Sequence, residues 1–244
     1  MPMKFKSKRG RRGGMRKNAP RRRRNIAVTR VAQRTFADKM LVKLPYVDLE
    51  TYTSIGGIWY NQKGYRVNAL YDPEASLGND SALGFTQYMN IYSKYRVYRV
   101  DYDITLTNTN NQTAVAGAIS FELPTGFSFS GDPSDLIVPY SKKFSLATGG
   151  SALATKRIRG SVFLPRVAGL TSEQYRTNEN YYGTATSNPI DIINMNIKLI
   201  NVNQGTSNFV QADVRYTAHT EFFDRNKILT TQPPVEVLDP DCKT

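Results

Sequence analysis

The chain has 244 residues, 40% of them hydrophobic, with a formal net charge of +13. One cysteine, Cys242, excludes an intrachain disulfide, no apolar run approaches membrane-spanning length, and one histidine leaves little from which to build an acid–base or metal centre. The length is sufficient for one large domain with a substantial core.

The charge sits at the start. Residues 1–24 hold twelve basic residues, Lys4, Lys6, Lys8, Arg9, Arg11, Arg12, Arg16, Lys17, Arg21, Arg22, Arg23 and Arg24, and Arg30 and Arg34 follow before the first carboxylate, Asp38. Beyond residue 24 the chain carries 21 basic against 20 acidic residues, so a nearly neutral body bears a polycationic leader. Such a leader buries too little apolar surface to offset chain entropy and repels itself, so residues 1–38 are expected to form a disordered arm that binds nucleic acid. Arginine blocks interrupted by Gly10, Gly13 and Gly14 supply phosphate-seeking forks without fixed geometry, and binding is expected to be indifferent to base sequence. Arg21–Arg24 also satisfies a nuclear-import signal. The leader has no apolar face of the mitochondrial kind and no secretory signal, which predicts synthesis in the cytosol. The sequons Asn79-Asp80-Ser81 and Asn111-Gln112-Thr113 then read as chance matches.

From residue 39 onward the dominant period is two. A strand is expected over 39–52, interrupted by Pro45, and another over 57–70, around Trp59 and Val67. Tyr98, Val100, Tyr102, Ile104 and Leu106 alternate with Arg99, Asp101, Asp103, Thr105 and Thr107, a half-buried strand with a polar outer face. Val115, Gly117, Ile119, Phe121 and Leu123 form the next, and the turn-rich segment 108–113 between them predicts a hairpin. Further strands are expected over 153–164, with Ile158, Val162 and Leu164 facing one way, and over 174–184. The last two carry Ile193, Met195, Ile197 and Leu199, then Val210, Ala212, Val214, Tyr216, Ala218, Thr220 and Phe222, with a turn at Asn203-Gln204-Gly205. Long loops fall at about 71–94 and 124–152, with room for helical turns in 82–95 and 134–145. Eight strands with such loops predict an all-β, eight-stranded jelly-roll sandwich. The expected organisation is an arm at 1–38, a shell domain at 39–228 and a tail at 229–244 that begins before Pro233-Pro234.

The residues offer no catalytic group, cofactor or metal site, and the chain is read as not an enzyme. His219 falls on the polar face of the last strand, Cys242 has no histidine to activate it, and Asp101 and Asp103 share their face with Arg99. Asp239 and Asp241 belong to a solvated tail, and Gly149-Gly150 with Lys156 lacks phosphate-loop spacing. Tyr88, Tyr92, Tyr95, Tyr98 and Tyr102 read as core or interface rings rather than base-stacking ones. Lys156, Arg157 and Arg159 form a second, smaller basic group suited to phosphate contacts.

The run Tyr65-Arg66-Val67-Asn68-Ala69-Leu70-Tyr71-Asp72-Pro73, then Gly84-Phe85-Thr86-Gln87-Tyr88 and the stretch from Tyr92 to Asn108, resembles the capsid proteins of small circular single-stranded DNA viruses, the circovirus-like group that encodes a Rep protein. The resemblance implies a jelly roll with strands lettered B to I, residues 95–107 as D and 114–123 as E. It further implies a closed icosahedral shell of about 60 copies around a viral single-stranded DNA genome, with T=1 geometry. A virion protein assembled in the host nucleus would also meet nuclear-import machinery and a host receptor. The capsid of a small RNA or satellite virus, or a cellular nucleic-acid-binding protein with a basic tail, are the alternatives the residues leave open.

Overall fold

The computed structural model describes residues 37–54, 60–74, 81–110, 112–124, 136–202 and 208–226. All of them belong to the unit that begins at Ala37. Eight strands make up its frame: β1 (Met40–Ser54), β2 (Tyr60–Arg66), β3 (Tyr92–Asn108), β4 (Val115–Glu122), β5 (Ser141–Leu146), β6 (Thr155–Phe163), β7 (Asn194–Asn201) and β8 (Asn208–Arg225). They form two four-stranded antiparallel sheets, ordered β1-β8-β3-β6 and β2-β7-β4-β5. With the strands lettered B to I in chain order, these are the B-I-D-G and C-H-E-F sheets of a jelly roll.

The period-two pattern sets the two faces. Val100, Tyr102, Ile104 and Leu106 on β3, and Val210, Ala212, Val214, Tyr216 and Ala218 on β8, point into the sandwich and are buried. Tyr102 meets Phe121 of the opposite sheet with ring centroids 5.3 Å apart, and Tyr46 meets Tyr216 at 5.1 Å. Gly160 faces the Tyr102 ring so closely that any Cβ there would strike it. Pro45 does not interrupt β1: as a residue of an edge strand it pairs with Thr217 on one side only, and its carbonyl accepts from the Leu83 amide on the other.

Four further sequence expectations are corrected. Segment 108–113 is not a hairpin turn, because β3 and β4 lie in different sheets. Each strand has its own apolar face to bury, and the polar turn carries the chain across the sandwich, pinned by the Asn108 side chain, which donates to the Thr113 and Ala147 carbonyls at 2.7 and 2.9 Å. Residues 174–184 are not a strand: they carry α3 (Ser172–Thr177) and a 3-10 turn at Glu179–Tyr181. Thr171 caps α3 in a reciprocal box with Gln174, and the two buried rings that imitate a strand, Tyr175 and Tyr181, meet at a tilt with centroids 4.5 Å apart. The missing eighth strand is β5, inside the expected loop 124–152. The sixth and fifth strands are therefore G and F, in place of the 174–184 and 153–164 assignments.

The fourth correction is Tyr98. A register shift between Val97 and Arg99 inserts it as an extra residue opposite β8, and the bulge turns its side chain to the outer face. There its hydroxyl donates to Glu221 at 2.9 Å and its ring lies 5.9 Å from Tyr175. Two further short helices complete the body: α1 (Phe85–Met89), within the predicted helical stretch 82–95, and α2 (Leu164–Val167), which continues directly from β6.

Candidate nucleic-acid interface

The arm residues Lys4 to Arg34, and with them Arg21–Arg24, lie outside the described residues, as do Trp59, Asn79, Asn111, Asp239, Asp241 and Cys242. What the described residues hold is the outer face of the β1-β8-β3-β6 sheet. Alternation in β3, β6 and β8 brings Arg99, Asp101, Asp103, Arg157, Arg159, Asp213, Arg215 and His219 to this one surface. Arg157 grips Asp103 through both carboxylate oxygens, at 2.7 and 2.5 Å, and Arg159 adds a third contact at 3.0 Å. The Arg157 hydrogen bonds hold the Asp103 carboxyl below the usual carboxylate range, against slight burial. Arg215 grips Asp213 of its own strand in the same forked manner, at 2.9 and 2.6 Å. Lys156 is separated from its neighbours by the strand period, so the predicted basic trio is split between two faces.

His219 sits where the pattern put it. Its Nε2 is 2.7 Å from an Asp101 carboxylate oxygen, and Ser161 and Arg99 donate to the same carboxylate. Histidine, carboxylate and hydroxyl are thus neighbours in the wrong order for a nucleophile: the carboxylate stands between the other two, and the imidazole has no hydroxyl to deprotonate. This surface presents charge without an activated nucleophile.

Of the predicted ring set, Tyr92, Tyr95 and Tyr102 are buried in the core and Tyr88 packs against it, whereas Tyr98 lies on the outer face. Tyr92 and Tyr95 are fully buried, the Tyr95 hydroxyl accepts from the Leu70 amide at 3.1 Å, and Tyr88 stacks on Phe222 at 5.0 Å. Sequence reasoning missed one carboxylate group. Asp48 and Glu50, two residues apart on the inward side of β1, meet Glu74, and their oxygens lie within 4.8 Å of one another. Glu74 is brought in by a lone bridge to Tyr65, whose hydroxyl donates to Asp48 at 2.7 Å. Among the described residues, these three are the group of carboxylates close enough together to share a cation. Each is already engaged in a polar interaction.

No protein-family model matches the chain, and no curated protein does. Solved structures of viral coats are similar to it. The tobacco necrosis virus structure is 13% identical over 78% of this chain and 85% of that one, with a TM-score of 0.43. The BFDV capsid protein in its 60-mer form is 14% identical over 78% of this chain and 96% of that one, at 0.41. For Desmodium yellow mottle tymovirus the figures are 13%, 76%, 90% and 0.37. The jelly-roll assignment stands on the strand order itself.

Proposed function

We propose that this protein is the coat subunit of a small virus, assembling into a closed icosahedral shell and packaging a single-stranded DNA genome through its basic arm. The observation that carries the reading is the division of charge. Residues 1–36 hold fourteen basic and no acidic residues, whereas residues 37–226, which contain the jelly roll, hold seventeen of each. A neutral body can pack against copies of itself without mutual repulsion, and a cationic arm can neutralise the phosphates such a shell encloses. On this reading residues 39–228 are the shell domain and 229–244 a tail, about 60 copies close the shell, and Arg21–Arg24 serves nuclear import before the virion meets its receptor. DNA is preferred to RNA on the motif resemblance of residues 65–73 and 92–108.

Purified full-length protein is expected to give uniform spherical particles by negative-stain microscopy. Nucleic acid extracted from them is expected to be degraded by DNase and to resist RNase. Protein that stays monomeric at high concentration with nucleic acid present would overturn the shell, and RNase-sensitive contents would replace the DNA genome with an RNA one.

A further inference from the structure

The sequence contains a second long stretch without acidic residues. Between Asp135 and Glu173 there is no carboxylate, and six cations fall there: Lys142, Lys143, Lys156, Arg157, Arg159 and Arg166. In a body whose charges balance, this is a local excess, which the fold strings along one edge of the sandwich, with Lys156 on the opposite face of β6 from Arg157 and Arg159. Strands β5 and β6 are the edge strands of the two sheets on the same side of the sandwich. The Lys142 ammonium donates to the Arg159 carbonyl and joins them. All six cations are exposed.

At the β6–α2 end of this edge lies a surface depression of about 460 Å³, lined by Arg99, Tyr140, Ser161, Val162, Phe163 and Arg166. Its aromatic rings are more exposed than the described core tyrosines: Tyr140 is 49% and Phe163 36% exposed. Tyr140 adopts a left-handed backbone, φ 55°, and its hydroxyl donates to the Arg166 carbonyl at 2.9 Å, so the ring is tethered at the mouth of the depression. On the adjoining sheet face Asp101 is held by Arg99 at 2.8 Å, and Asp103 by Arg157 and Arg159. Exposed rings beside arginines, on a cationic track, are the combination that single strands require: a face for the base and charges for the backbone on either side.

We propose that the β5–β6 edge is a structured binding site for single-stranded nucleic acid, distinct from the arm, in which a base stacks at Tyr140 and Phe163 and the flanking phosphates are held by Arg99, Arg166 and the lysines and arginines of the edge. It rests on the nucleic-acid reading above and adds to it a place on the folded body where bases as well as phosphates are contacted. An arm dominated by Arg and Lys contacts mainly phosphates and discriminates little between a strand with bases and one without. This depression discriminates.

The test uses the full chain and two fluorescent probes, a short oligothymidylate and the same backbone without bases. Tyr140→Ala with Phe163→Ala is expected to weaken oligothymidylate binding about fivefold or more, the lower end of one stacked base, and to leave the abasic probe unchanged. Tyr140→Phe keeps the ring but loses its hydroxyl tether to the Arg166 carbonyl, and is expected to weaken oligothymidylate binding measurably, though less than the double variant does. Replacing Lys142, Lys143 and Lys156 with Ala is expected to shallow the salt dependence for both probes by up to about 0.7 per phosphate no longer neutralised. Circular dichroism and the thermal midpoint report whether each variant is folded, and Tyr140→Phe with the lysine set carries the test if the double alanine variant is not. Unchanged binding in these variants, while Arg21–Arg24→Ala lowers the salt slope, would overturn the edge site and leave the arm reading standing. Unchanged slopes in all of them would overturn nucleic-acid binding itself. Abolished self-association with binding retained would make this edge a contact between copies, and would equally overturn the site.

Discussion

Asp101 accepts hydrogen bonds from three side chains at once, and its protonation is therefore coupled to folding. Partial burial raises its carboxyl, but Ser161, His219 and Arg99 outweigh that and bring it down to about 2 from 3.8. A carboxyl lowered by folding stabilises the native state above its unfolded value and loses that contribution as pH falls toward the folded one. Asp101→Asn is accordingly expected to lower the urea midpoint at pH 5, and the gap to the parent is expected to close between pH 4 and 2. A gap that stayed constant over that interval would mean the network is ornamental. The alternation Arg99, Asp101, Asp103 made this charged face legible in the sequence, and His219 was legible with it. Tyr98 was not, because a bulge is a two-strand property: whether residue 98 continues the alternation depends on how many residues β8 places opposite it.

At the scale of elements, the polar positions of β7 behave differently from those of β8. Asn194, Asn196 and Lys198 alternate with core residues as solvated positions do, yet Lys198 is 2% exposed. The outer side of the β2-β7-β4-β5 sheet is covered rather than wet: Ala118, Leu136 and Ile200 form a small apolar cluster there. Lys198 donates to Glu122 at 2.6 Å, and Ser120 donates to the same carboxylate. Glu122→Ala removes the carboxylate to which the buried Lys198 ammonium donates and is expected to destabilise the fold in denaturant unfolding, by up to about 3–5 kcal/mol. Glu122→Leu combined with Lys198→Met is expected to recover most of that loss, since a well-packed apolar pair avoids the desolvation of two ions. Equal damage from the single and double variants would show that the pair matters for more than its charge. Strand β5 escaped the sequence because only Phe144 and Leu146 of its six residues mark the inward face, too few for a period. The sequence signal that marks α3 is the Thr171 to Gln174 capping box, which a reading by period two passes over.

For the whole molecule, sandwich class and seven of the eight strands followed from periodicity, whereas the pairing of strands did not, because turns that join neighbours within a sheet and turns that cross between sheets use the same residues. Charge is the whole-molecule property that the sequence states directly. If the arm supplies the phosphate contacts, affinity for single strands falls steeply with salt, and Arg21–Arg24→Ala is expected to shallow the logarithmic slope by up to about 0.7 for each phosphate the arm ceases to neutralise. Fluorescence anisotropy over a salt series measures it, and an unchanged slope would move phosphate binding to the body. The antiparallel pairing of β1 with β8 has a consequence for rearranging the chain. Met40 stands opposite Phe222, so the first strand starts where the last one finishes, and the Ala37 carbonyl is tied to that same corner by the Tyr92 hydroxyl at 2.8 Å. A short linker there would close the body into a ring, and new ends opened in a surface loop would give a circular permutant with every strand pairing intact. Such a permutant would retain the sandwich while the arm left it from a different side, separating where the arm is rooted from what the arm contains.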